Sequence, residues 1–215
     1  MVRMTPQSGK SRRRSAAARR EQLLDVTARL VAERGFHAIS IEAVAGLAGV
    51  TRATVYNHFR HLHELLGAVI ERETSRALAQ VSETTLTNLD EGDPERLMLE
   101  ALDAYLQAVC SSPTTWRLVL MPPEGAPAAL HVKIADGRAA VLERLSRAVR
   151  PLTDGDAEIR DAELTARILS AISDEYARLA LTDPDRFSPE RLLRHARWWF
   201  ARTQLVYEQG AQRST

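Results

Sequence analysis

A chain of 215 residues with 45% hydrophobic and 27% charged side chains has the balance of an ordinary globular protein, long enough to bury a sizeable core in one domain or two small ones. No apolar run reaches the length that spans a bilayer and no apolar segment follows the basic N-terminus, so neither a membrane protein nor a secreted one is expected, and the cytoplasm is the expected compartment. The lone Cys110 excludes an intramolecular disulfide, and the net charge of +1 hides an uneven distribution: residues 1–20 carry seven basic side chains and no acid, against 22 basic and 28 acidic groups in the remainder.

Residues 1–16 read as a disordered basic arm, rich in Ser, Gly, Pro and Gln beside Arg12, Arg13 and Arg14; disorder is compatible with contact to DNA, as arms that enter a minor groove show. A first helix is expected over 17–34, with Leu23, Val26, Leu30 and Val31 on one face and Gly35 as its stop. Phe36 and Ile39 are expected to pack beneath the next two helices. Ser40 is placed to cap a second helix whose buried face is Ile41, Val44, Ala45 and Ala48, and Gly49 supplies the backbone freedom a sharp corner needs. Val50 plugs the corner. Thr51 is placed to cap a third helix running through Arg52, Ala53, Thr54, Val55 and Tyr56. Two short helices joined by a tight glycine turn form a helix-turn-helix, whose second helix enters the major groove of double-stranded DNA. An ordinary pair of core helices would share the glycine turn, but would not place Thr51, Arg52, Thr54, Tyr56, Asn57 and His58 on so short an element.

A fourth helix is expected from near His61 through Leu65, Val69, Ile70 and Val81, broken between Asn88 and Asp93. Asp93-Pro94 opens a fifth with Leu97, Leu102, Leu106 and Val109, ended at Ser111-Ser112-Pro113. A short sixth holds Trp116 and Leu118 and stops at Pro122-Pro123. A seventh, with Leu130, Ile134 and Leu145, is expected to end before Pro151, with Gly137 weakening it midway. The eighth carries Leu164, Ile168, Ile172, Tyr176 and Leu179. Ser188-Pro189 opens a ninth with Leu192, Ala196, Trp199, Phe200 and Thr203. No strand pattern occurs. The fold class is all-α: a DNA-binding domain over 17–63 and a helical bundle over 64–215 for ligand binding and dimerisation.

Ala45, Ala48-Gly49-Val50, Thr51, Thr54, Val55, Tyr56, Phe59 and Glu64-Leu65 resemble the signature of TetR-family regulators over about Glu21 to Val69. The resemblance implies a dimeric transcriptional regulator, most often a repressor, that binds a palindromic operator and is released when a small-molecule effector moves the fourth helix. The same fold acting without an effector is the alternative, and a helical-bundle enzyme a distant one. Arg52 is the expected base reader, since its planar fork matches guanine O6 and N7. Thr51 and Thr54 can reach phosphate or a thymine methyl, Asn57 can pair with adenine, and Ser40 and Ala53 lie on the same surface. The resemblance makes Tyr56 and His58 phosphate anchors. It also implies a lysine at the start of the fourth helix, where this chain has Leu62, so that Arg60, His61, His63 or the helix's own amides must substitute.

His58, His61 and His63 do not have metal-ligand spacing, and no fingerprint of a hydrolase, P-loop, zinc peptidase or dinucleotide site occurs, so neither a cofactor nor an enzymatic activity is expected. Met98, Tyr105, Trp116, Leu120, Met121, His131, Ile134 and Tyr176 are candidates for an effector pocket among the middle helices. Ile168, Ile172, Leu179, Leu192, Ala196, Trp199, Phe200 and Thr203 are candidates for a homodimer interface, because the last two helices are apolar over more than one buried face. Adjacent Trp198 and Trp199 cannot both face one core.

Overall fold

The computed structural model describes the backbone of residues 8–84, 93–153 and 161–213, and the side chains of 16–84, 93–150 and 161–202. The side chains of Arg12, Arg13, Arg14 and Thr203 lie outside the described residues. The helices among the described residues run in the order α1 Ser8–Arg34, a 3-10 turn Phe36–Ala38, α2 Ile41–Ala48, α3 Arg52–Tyr56, α4 Leu62–Thr84, α5 Pro94–Ser111, α6 Pro113–Leu120, α7 Ala128–Thr153, α8 Ala162–Thr182 and α9 Pro189–Arg213.

Most helix ends obey the punctuation in the sequence. Asp93, Asp161 and Ser188 each accept a backbone N–H at the start of α5, α8 and α9, from Glu95, Leu164 and Arg191. Two ends differ. α1 begins at Ser8 rather than at Ala17: Lys10, Arg12, Arg13, Arg14 and Ala16 are strong helix formers, the intervening serines are intermediate, and the weakest residue, Gly9, lies in the first turn. α7 continues through Gly137 and Pro151 to Thr153; a proline in the final turn removes one backbone bond, and little helix remains beyond it to lose.

The chain divides into two compact units, one of residues 1–74 with 122–133, the other of 75–121 with 134–215. This differs from a boundary at residue 63. The first half of α4 belongs with α1 to α3 because Leu65, Val69 and Ile70 are buried there. In the first unit the core comprises Leu23, Leu24, Leu30 and Val31 of α1, Val44 and Ala48 of α2, Val55 of α3, and Phe59. Arg72 of α4 ties this half of the helix to α1 through Glu21 at 3.0 Å and Asp25 at 2.9 Å, with Glu73 beside it at 2.6 Å. Burial works against the Arg72 charge, but Glu73, Glu21 and Asp25 together outweigh it and hold the guanidinium above its ordinary pKa.

In the second unit α5 packs against α6, α8 and α9, and α6 against α8. The main cluster gathers Leu102, Leu106 and Val109 of α5, Trp116 and Leu120 of α6, Tyr176, Ala177 and Leu181 of α8, and Leu192 and Ala196 of α9. A smaller one joins Val149 and Ala166 to Leu97, Met98 and Leu145.

Candidate nucleic-acid interface

The corner between α2 and α3 is set by local chemistry. Ser40 Oγ accepts the Ala43 N–H at 3.1 Å and starts α2. Gly49 ends it with φ 65° and ψ 36°, a left-handed conformation that a side chain would strain. The Gly49 and Val50 N–H groups donate back to Gly46 and Ala45, closing the two bonds of a Schellman turn. Thr51 Oγ1 then accepts the Thr54 N–H at 3.2 Å and lies 3.0 Å from the Thr54 hydroxyl. Gln22 of α1 fixes the corner from behind by donating to the Ala48 carbonyl at 3.1 Å.

α3 buries a single side chain, Val55, and Phe59 just beyond it is buried as well, with the Arg20 guanidinium 5.1 Å from its ring centre. The remaining groups face outward. Thr51, Arg52, Ala53, Tyr56, Asn57, Arg60 and His61 are exposed, while Ser40, Thr54 and His58 are half-buried. Every expected DNA-contacting residue with a described side chain therefore retains exposed surface. The ring of exposed hydroxyl, amide and guanidinium groups can donate to phosphate oxygens and to base edges.

Two arrangements go beyond the sequence pattern. Arg52 Nη2 lies 3.0 Å from Glu42 Oε1, so the expected base reader has an internal partner on α2. At the start of α4, His61 Nδ1 accepts the Glu64 N–H at 3.1 Å and Glu64 Oε2 accepts the Arg60 N–H at 2.7 Å. This reciprocal cap already engages the Arg60 and Glu64 amides, two of the N–H groups at the start of α4. The Glu64 that stands in the family signature is the readable sign of that cap. Nothing in the one-dimensional spacing announces the Arg52–Glu42 pair.

The candidate effector residues are only partly brought together. Tyr105, Trp116, Leu120, Met121 and Tyr176 meet in the main cluster of the second unit. Met98 packs instead in the smaller cluster, Ile134 is half-buried on α7, and His131 is exposed and belongs to the first unit. Tyr105 and Trp116 meet edge to face, with ring centres 5.2 Å apart. Their polar tips are occupied: Trp116 Nε1 donates to Gln80 at 2.9 Å, Gln80 donates to Ser112 at 3.0 Å, and the Tyr105 hydroxyl donates to Asp174 at 3.1 Å. Arg138 donates to the other Asp174 oxygen at 3.0 Å. The Tyr176 hydroxyl and His195 Nδ1 lie 2.8 Å apart. Burial pushes the Asp174 carboxyl above the ordinary carboxylate range, against the pull of Arg138, Tyr105 and Arg178. Burial, and then the Asp174 charge, hold the Tyr105 hydroxyl well above its ordinary pKa.

The candidate interface residues also separate. Leu192 and Ala196, 4% and 1% exposed, face the chain's own core and are not available to a second copy, because both lie on the α9 face turned toward α5. Ile172, Leu179 and Phe200 are partly buried against the same core. Among the described residues, the large apolar side chains that α8 and α9 leave exposed are Leu164, Ile168 at 50% and Trp198 at 57%, while the neighbouring Trp199 is half-buried. Among the described residues no group of three His, Cys, Asp or Glu could hold a metal ion, and no helix is long and apolar enough to cross a membrane.

Residues 23–69, the span from α1 into α4 that contains the capped corner, match the sequence model of bacterial regulatory proteins of the tetR family. The chain is 29% identical over 172 residues to the HTH-type transcriptional activator FasR of Mycolicibacterium smegmatis, covering 77% of this chain and 73% of FasR. Among solved structures, a TetR-like transcriptional regulator from Rhodococcus sp. RHA1 is similar over 84% of this chain and 92% of its own, with TM-score 0.62 and 20% identity. The fatty acid degradation regulator FadR from Bacillus halodurans is similar over 84% and 93%, with TM-score 0.62 and 16% identity. With the signature residues folded into a capped helix-turn-helix and the remainder into a helical second unit, residues 23–69 form a DNA-binding domain of the tetR-family type and the chain has the fold of TetR-like transcriptional regulators.

Proposed function

We propose that the protein is a homodimeric, ligand-responsive repressor that binds a palindromic operator in the cytoplasm, with α3 of each copy in a major groove. The observation that carries this is the build of α3: one buried residue, Val55, behind an exposed row of Thr51, Arg52, Tyr56 and Asn57. Arg52 reads a base, Thr51, Thr54 and Asn57 support it, and Tyr56, His58, Ser40 and Arg60 hold phosphate. A second copy would meet α8 and α9 across the exposed Leu164, Ile168 and Trp198. Selection of bound sequences from random DNA tests the core of the proposal: a dyad-symmetric consensus supports it, and selection of no preferred sequence overturns it.

Two specific observations favour other outputs of the same DNA-binding regulator. The similarity to FasR, an activator, favours activation over repression; a reporter placed behind the selected operator reads the sign directly. The occupied polar tips of Tyr105 and Trp116 favour a regulator without a small-molecule effector. A screen of metabolites for release of the operator complex separates these readings, since a ligand-responsive protein must lose affinity for DNA when the ligand binds.

A further inference from the structure

Glu42 is the only acidic side chain between Ser40 and Arg60, on a surface otherwise furnished with the exposed Thr51, Arg52, Tyr56, Asn57 and Arg60. A carboxylate on a surface that approaches phosphate is repelled by it, so its presence requires a compensating role. Its Oε1 sits 3.0 Å from Arg52 Nη2, and the two side chains are 57% and 60% exposed, so neither is held in place by packing.

We propose that Glu42 is a positioning residue for base recognition, orienting the Arg52 guanidinium before DNA arrives. The proposal rests on Arg52 being a base reader. A guanidinium offers five N–H donors in one rigid plane, and a single carboxylate oxygen at Nη2 leaves the other donors for O6 and N7 of a guanine. An unsupported arginine samples many rotamers, all but one of which must be abandoned on binding. Fixing one long side chain in advance is worth up to roughly tenfold in affinity for the matching base. An unfixed guanidinium would also reach neighbouring phosphates, which bind it equally well on every sequence. Glu42 discourages that alternative by repulsion while leaving the guanine edge accessible. Its place in the first turn of α2 also favours the helix dipole, but that contribution acts on stability and has no bearing on which base is preferred.

The test uses the full-length protein and the sequence it selects from a random DNA library. Affinities are measured for that operator, for the operator altered at the symmetric base pair whose preference Arg52→Ala relaxes, and for random DNA, alongside thermal midpoints. Glu42→Ala is expected to lower discrimination at that base pair by roughly threefold to tenfold, to bind random DNA as tightly or more tightly, and to leave base discrimination unchanged in the Arg52→Ala background. Glu42→Gln, whose amide oxygen still accepts from Nη2, should retain part of the discrimination. An equal factor on all three DNAs, or a lowered midpoint with base preference intact, overturns the proposal while leaving Arg52 as the reader. If Arg52→Ala itself relaxes no base preference, the assignment of Arg52 and the proposal fall together.

Discussion

Specific and non-specific contact to DNA are separable at single residues because hydrogen bonds to phosphate carry no base information. Arg52 stands at the first position of α3, exposed and ion-paired with Glu42, so Arg52→Ala should weaken operator binding by about 1 to 3 kcal/mol and relax one symmetric pair of base positions. Binding to random DNA should change little; an equal loss on both would assign Arg52 to phosphate instead. Tyr56 is exposed at the end of the same helix, and its hydroxyl is assigned to the DNA backbone. Tyr56→Phe should therefore weaken binding on every sequence while the selected consensus stays the same, and a shifted consensus would contradict the assignment.

At the level of elements, the sequence is most readable where a residue type admits one backbone answer. Gly49 has positive φ at the expected corner, and Asp93-Pro94 opens α5 with the side chain accepting from Glu95. Readability falls where the deciding quantity is orientation. α9 carries an apolar arc too wide for one face, and only packing on α5 shows that Leu192 and Ala196 point inward and Trp198 outward. The Glu42–Arg52 pair joins residues ten apart on two helices, a proximity set by the angle at Gly49 and by no period in the sequence. Similarly, nothing in the spacing along α8 announces the partners of Asp174, which joins Tyr105 of α5 to Arg138 of α7. That junction has a measurable signature. Because folding raises the Tyr105 pKa above its ordinary 10.0, the protonated hydroxyl contributes stability that is fully present below about pH 10 and is lost as pH rises beyond it. Tyr105→Phe should cost about 0.5 to 3 kcal/mol at neutral pH by removing the bond to Asp174, and should flatten the alkaline loss of stability in denaturant titrations. An alkaline limb identical in the variant would mean the hydroxyl already ionises freely in the fold.

For the whole molecule, assembly and charge decide how the protein finds DNA. A twofold dimer through α8 and α9 predicts that Ile168→Glu or Trp198→Glu yields folded monomers by sedimentation, since both side chains are already exposed in the single chain; a dimer that persists in both variants would place the interface elsewhere. Long-range attraction has a different source. Between Glu21 and His63 four arginines face four acids, and Leu62 stands where the family resemblance implies a lysine, whereas residues 1–16 hold Arg3, Lys10, Arg12, Arg13 and Arg14 without an acid. Removing residues 1–16 leaves Ser40, Thr51, the Gly49 corner and Arg52 in place, so the preferred operator core should persist. The slope of log affinity against log salt flattens by about 0.9 for every phosphate that is no longer neutralised, so a dimer without its two arms should flatten it by several units if most of these charges engage DNA. Operator binding across a salt series, for full-length and shortened protein, measures this directly. An unchanged slope would make the arm a passive tail, and the electrostatic attraction would then have to come from Arg60, His61 and His63 at the start of α4.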